Sequence, residues 1–350
     1  MDLKSIVEPL LNWYGRNARK LPWRDDPAPY RVWVSEIMLQ QTRVEAVKPY
    51  FERFLRELPD IGALAAVSED RLLKLWEGLG YYSRARNLQK AARMVLKEYG
   101  GVLPREPKEL RRLPGIGEYT AGAVSSIAYG RPEPAVDGNV LRVLARLTAD
   151  ERDIRGTAVK RDEAAQLRGI YPEGRCGEFT QALMELGATV CLPNGAPLCG
   201  ECPLSALCEG LKTGRAASLP VVSPKPARKK EEKTVFLLLC GGKAALQKRP
   251  ETGLLAGLWE FPCAPGVLSE KEAHKILSGW GFLRVQPEPL PSAKHVFTHV
   301  EWHMAGYLVH VPEPAGDFFW AGRKDLGERC AVPSAYKNFL RILQSRAELC

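Results

Sequence analysis

Four cysteines fall within eighteen residues, Cys191, Cys199, Cys202 and Cys208, in the spacing C-x7-C-x2-C-x5-C. Thiolate is a soft ligand, and four of them at this density can close a tetrahedral zinc site or hold a [4Fe–4S] cluster. One C-x2-C pair flanked by wider gaps points to iron–sulfur, with zinc as the second choice. The other five cysteines (Cys176, Cys240, Cys263, Cys330, Cys350) are scattered and read as ordinary thiols. Two carboxylates stand in unlike surroundings. Glu36, in WVSEIMLQQT, is flanked by Trp33, Val34, Ile37 and Met38, neighbours that raise a carboxyl pKa above its usual value of about 4.3 and preserve the acid form at neutral pH. Asp137, in PAVDGNV, precedes Gly138 and Asn139, where a helix start would bond the carboxylate to backbone N–H groups and keep it ionised. From the residues alone, a plain helix cap for Asp137 and a polar helix face for Glu36 stand beside these chemical readings.

The elements that must position these groups divide the chain at a linker. Residues 1–211 read as helical. In SRARNLQKAARMVLKEYGG, Leu88, Ala91, Ala92, Val95, Leu96 and Tyr99 follow helical spacing, Ser83 can cap the start, and Gly100–Gly101 stop it. LPGIGEYTAG places a Gly-x-Gly turn before another helix, and Gly115 and Gly117 leave backbone N–H groups open to a phosphate. Residues 212–233, with three prolines and seven basic residues against Glu231 and Glu232, read as an extended, solvated connector or a basic strap beside a polyanion. Residues 234–350 change to α+β: TVFLLLCGGKAALQKRP reads as a Gly-Gly hairpin, HVFTHVEWHMAGYLVHV as a second hairpin, with helices at SEKEAHKILSGWGF and SAYKNFLRILQSRAEL.

The net charge of +9 favours a polyanionic partner without identifying it. No apolar run approaches the ~20 residues of a membrane span. The first twenty residues read as an amphipathic helix rather than a secretory signal, so a cytoplasmic location is expected.

The cysteine loop, LPGIGEYTAGA and AVDGNVLRVLAR together resemble the helix-hairpin-helix DNA glycosylases of the endonuclease III superfamily. WVSEIMLQQTRV and GLGYYSRARNL narrow the resemblance to the adenine DNA glycosylases of the MutY type, across nearly all 350 residues. The first cysteine gap is one residue longer than the family's usual six, and Pro193, Gly195 and Pro197 suit an outward bulge. The resemblance implies an all-α glycosylase domain with an iron–sulfur loop, followed by a Nudix-like domain, in a monomeric bacterial enzyme working at the nucleoid.

It also implies roles. Releasing adenine from deoxyribose needs a proton on the base and a negative charge beside the sugar cation. The resemblance gives the first to Glu36 and the second to Asp137, and adds Tyr119 and Asn139 to the catalytic set. Tyr119 stands where bifunctional relatives carry a lysine that forms a Schiff base; a phenol cannot, so base release without efficient strand cleavage is expected, with the phenol steering the sugar or water beside Asp137. Leu21, Trp23, Arg24 and Gln181 would line the adenine pocket, with Thr42 joining the DNA-contacting set. Gln41 and Tyr81 would fill the gap left when the base leaves the duplex. The implied partner is double-stranded DNA with adenine opposite 8-oxoguanine or guanine, and Phe297, Thr298 and His299 match the loop that reads the lesion.

QKRPETGLLAGLWEFP carries the likeness to Nudix 8-oxo-dGTP hydrolases. Their metal-binding Glu–Glu pair is replaced here by Ser278–Gly279, so nucleotide hydrolysis is not expected. His295, His299 and His303 recur at intervals of four, but their overlap with the recognition loop and strand alternation argues against zinc.

Overall fold

A computed structural model describes residues 2–193, 195–224 and 226–345. Two compact units are present: residues 2–66 with 87–224, and residues 67–86 with 226–345.

The first unit is helical. Its core is built from Ile6, Leu10, Val143, Leu144, Phe179, Leu183 and Leu186, contributed largely by the helices Val7–Asn17, Gly138–Thr148 and Cys176–Thr189. Glycines let backbone approach closely at two places in this unit. A Cβ on Gly187 would lie 2.6 Å from the Asn139 Cβ, and one on Gly122 would lie 2.1 Å from the Pro134 carbonyl oxygen. The EYTAGAVSSIAYG segment is helical over Glu118–Ala123 and then loosens into a π-turn over Val124–Ala128. Asp137 caps the Gly138–Thr148 helix, accepting the Val140 N–H at 2.8 Å.

The second unit holds a seven-stranded mixed sheet: β1 Lys229–Cys240, β2 Lys243–Lys248, β3 Trp259–Glu260, β4 Cys263–Pro265, β5 Glu288–Val296, β6 Val300–His310 and β7 Phe319–Ala321. The order along the main path is β3-β2-β1-β6-β5, with β4 on β1 and β7 on β2. The unbroken apolar run of β1 follows from burial on both faces. Val235, Leu237 and Leu239 pack towards Tyr336 and Phe339, whereas Phe236 and Leu238 pack towards Ala273 and Leu277 of the helix Glu270–Gly279. Gly241 and Gly242, at φ +50° and +74°, make the tight turn into β2.

Two sequence expectations are corrected. The connector expected over 212–233 ends earlier, because Lys229–Lys233 is already strand, paired in parallel with Val300–Met304. Its charges therefore decorate a sheet, and the Lys233 ammonium lies 3.3 Å from the Trp302 ring centroid. Residues 67–86, expected within the helical domain, pack instead within the second unit. Lys74 Nζ donates to the Leu326 carbonyl at 2.5 Å, Glu77 Oε1 accepts the Val332 N–H at 2.7 Å, and Arg86 Nη2 donates to the Ala256 carbonyl at 2.6 Å. Among the described residues, no helix is long and apolar enough to cross a membrane.

Candidate active site

The first unit encloses a cavity of about 590 Å³ lined by Leu21, Trp23, Arg24, Glu36, Gln41, Thr42, Gly117, Tyr119, Asp137, Asn139 and Gln181. Eleven residues singled out from scattered stretches of sequence thus meet at one place. Three segments do most of the positioning. The helix Pro29–Leu39 carries Glu36, Tyr119 sits on the first turn of Glu118–Ala123, and Asp137 and Asn139 open Gly138–Thr148.

Glu36 is only 5% exposed, which removes the polar-face reading. Burial raises its carboxyl to about 7; a bond from Tyr119 opposes that rise, and the neighbouring Asp137 adds to it. The Tyr119 hydroxyl donates to Glu36 Oε2 at 2.5 Å. The phenol's bond is thus to Glu36, and Asp137 stands near enough to act on it electrostatically. Burial, with both carboxylates nearby, pushes the phenol well above its ordinary pKa, so it remains a donor.

Asp137 is under opposing influences. Its carboxyl is raised by burial, against the pull of the Val140 N–H and the Asn139 side chain. Asn139 Nδ2 donates to Asp137 Oδ2 at 2.8 Å, and Asn139 Oδ1 in turn accepts from Arg142 Nη2 at 2.9 Å. Arg142 also donates to the Cys191 and Gly187 carbonyls, so the amide that orients the aspartate is itself held in place.

Sequence reasoning missed Arg19 and Glu185, which line the same cavity. Arg19 and Arg24 both pair with the Glu185 carboxylate, at 2.6 and 2.8 Å. Glu185 stands one helical turn after Gln181, the only sequence signal that it shares the Gln181 face.

Other candidates lie elsewhere. Gly115, at φ +80°, turns the hairpin against Asn87, where a Cβ would come within 2.8 Å of the Asn87 Cβ. Tyr81, Phe297, Thr298 and His299 line a separate cavity of about 450 Å³ in the second unit. There the Tyr81 hydroxyl and Thr298 Oγ1 are 2.6 Å apart, and His295 and Trp302 pack edge-on against Phe297. The 297–299 segment is the tip between β5 and β6. Gln41 and Tyr81 share a backbone trait: both lie in the left-handed region, at φ +60° and +48°. For residues bearing a Cβ that conformation is costly and is kept where a side chain must be aimed.

Cys191, Cys199, Cys202 and Cys208 line one small cavity of about 30 Å³ with Arg146, whose Nη1 is 3.3 Å from Cys191 Sγ. Four soft donors beside a guanidinium suit a thiolate-held group. Among the described residues, no three His, Cys, Asp or Glu side chains meet closely enough to hold a single ion. Of the longer first gap, Gly195 adopts φ +86° and Asn194 lies outside the described residues.

Glu270 and Glu272, the acidic residues of the helix Glu270–Gly279, stand in its first turn, and Glu272 closes a capping box with Ser269. His303 is bonded to Glu301 at 2.6 Å.

Residues 34–166 match the family described as HhH-GPD superfamily base excision DNA repair protein, and residues 234–341 match the NUDIX domain. A thermostable thymine-DNA glycosylase structure superposes with a TM-score of 0.55 at 29% identity, covering 60% of this chain and 96% of that one. Endonuclease III in a non-covalent complex with DNA gives 0.52 at 25% identity, covering 61% and 96%. The helical unit and its acid pocket are those of a helix-hairpin-helix DNA glycosylase. Across 411 aligned positions, 99% of this chain and 79% of the other, the sequence is 36% identical to the adenine DNA glycosylase of Mus musculus. The chain belongs to the adenine DNA glycosylase family.

Proposed function

We propose that this enzyme removes adenine mispaired with 8-oxoguanine or guanine by hydrolysing the N-glycosidic bond, and does not go on to cut the strand. The observation that carries the reading is the buried Glu36, raised to about 7 beside Asp137 in a pocket with ample room for a purine. At neutral pH a substantial fraction of Glu36 holds a proton to give the departing base. Tyr119 occupies Oε2, which leaves Oε1 to carry that proton into the pocket. Asp137, oriented by Asn139 and the Val140 N–H, supplies the charge that meets the sugar cation. A phenol at 119, already engaged with Glu36, gives no amine for an imine.

The DNA is gripped through the Gly115–Gly117 turn, with Gln41 and Thr42 at the pocket rim. Phe297, Thr298 and His299, at an exposed hairpin tip with Tyr81, form the reading surface for the opposite base. The protein acts as a monomer, in the cytoplasm. Cys191, Cys199, Cys202 and Cys208 would hold a [4Fe–4S] cluster, as four soft donors lining one cavity beside Arg146. The cluster would supply a cross-link for the 191–208 loop.

The test is excision from duplexes pairing adenine with 8-oxoguanine, guanine or cytosine, assayed with and without alkali and with borohydride. Strand breaks only after alkali, only opposite the purines, and no trapped adduct support the proposal. Efficient borohydride trapping would overturn its single-step character.

A further inference from the structure

Glu185 is a carboxylate with only 1% of its side chain exposed, on the wall of the acid pocket. It makes four bonds with two arginines. Oε1 accepts the Arg19 backbone N–H at 3.0 Å and Arg19 Nε at 2.6 Å. Oε2 accepts Arg19 Nη2 at 2.9 Å and Arg24 Nη2 at 2.8 Å. Arg24 Nη1 donates in turn to the Arg19 carbonyl at 3.0 Å, and its guanidinium lies 5.4 Å from the Tyr14 ring centroid.

These bonds join two different kinds of structure. Residues 18–24 form no helix or strand, yet they present Leu21, Trp23 and Arg24 to the pocket. Glu185 belongs to the rigid helix Cys176–Thr189, which presents Gln181. An irregular segment has no ladder of its own to hold a wall in register, so its position depends on side-chain anchors. Bidentate guanidinium–carboxylate pairs are the most directional anchors available.

We infer that Glu185 is a positioning and specificity residue, clamping the 18–24 segment to the Gln181 helix and thereby setting the width of the slot that receives the purine. The inference rests on the adenine-excision reading. The clamp stays closed at working pH: burial pushes the Glu185 carboxyl up, but the bonds from Arg19 and Arg24 outweigh it and hold it at about 2. A slot of fixed width admits the flat adenine ring and excludes a purine bearing an added 2-substituent.

The experiment compares wild type with Glu185→Gln and Arg19→Met. Arg19 has 35% of its side chain exposed, so losing it spares the fold while removing two of the carboxylate's four donors. Single-turnover rates are measured on duplexes carrying adenine or 2,6-diaminopurine opposite guanine, each corrected by active-site titration. Glu185→Gln is expected to lower the adenine rate per active site about 10- to 100-fold, with duplex Kd unchanged and the preference for adenine over 2,6-diaminopurine narrowed. Arg19→Met shifts both quantities in the same direction by less. A merely structural role lowers only the titrated fraction, so unchanged rates per site and an unchanged preference in both variants overturn the inference. If Glu185→Gln yields no active protein, Arg19→Met decides it alone. Wild-type protein that releases no adenine overturns the functional reading instead.

Discussion

Tyr119 donates its phenolic hydrogen to Glu36 Oε2 at 2.5 Å, inside a cavity that also holds Asp137. The phenol is thereby bonded to the carboxyl whose pKa burial raises. Its hydrogen bond favours the ionised form of Glu36, so it restrains a pKa that burial alone would push higher.

Replacing that acid by its amide removes the proposed proton donor and keeps the shape. Glu36→Gln is expected to slow adenine release by at least about 10² to 10⁴-fold. Binding of the mispaired duplex, measured by fluorescence anisotropy, should stay near wild type. A variant turning over at the wild-type rate would show that the proton comes from elsewhere.

Tyr119→Phe deletes the bond that stabilises the Glu36 carboxylate, so the pKa of the acid should rise. With Glu36 as the proposed proton donor, excision needs the protonated form, and activity in the wild type should fall as pH rises through about 7. In the variant that alkaline limb moves to higher pH, by on the order of one unit for a hydrogen bond of ordinary strength. Single-turnover rates between about pH 5 and 9 bracket the shift. A limb that stays in place or moves down refutes the assigned direction.

The same acid weakens the fold at alkaline pH. Its folded value of about 7 lies above its ordinary value of 4.5, so its contribution is full below the lower value and lost as pH rises through the higher one. The amide of the Glu36→Gln variant has no proton to lose over this range. Stability of that variant relative to wild type should therefore improve by roughly 3 kcal/mol between about pH 4 and pH 8. Urea unfolding at the two pH values checks this.

The cysteine cavity makes a compositional prediction. Protein prepared without oxygen should contain about four irons and four acid-labile sulfides per chain. Cys202→Ser should lower both and reduce the thermal midpoint. Zinc at one ion per chain would replace the cluster assignment with a tetrahedral site.

How much of this was legible in the sequence depends on the range of the interaction involved. Glu36 betrayed its burial because Trp33, Val34, Ile37 and Met38 are its chain neighbours. The two hairpins showed in local alternation and in Gly241–Gly242. Glu185 did not show, because a glutamate in a string of letters looks the same whether solvated or clamped by Arg19, 166 residues away. The Lys229–Lys233 run reads as a solvated connector because its strand character comes from parallel pairing with β6, a distant part of the chain. Periodicity reveals that a helix has an apolar face without saying what covers it, which is why the partners of residues 67–86 stayed hidden.

That last feature bears on the order of synthesis. Residues 67–86 leave the ribosome early, bearing Leu72, Leu73, Leu75 and Trp76, all buried in the finished protein. Their anchors at Ala256, Leu326 and Val332 are made last, and Lys74 waits 252 residues for its Leu326 carbonyl. Through that stretch of elongation, this apolar segment has no finished unit to join. A nascent chain stalled before β6 would present a sticky patch in its first third, and chaperone capture would peak there rather than at the growing end.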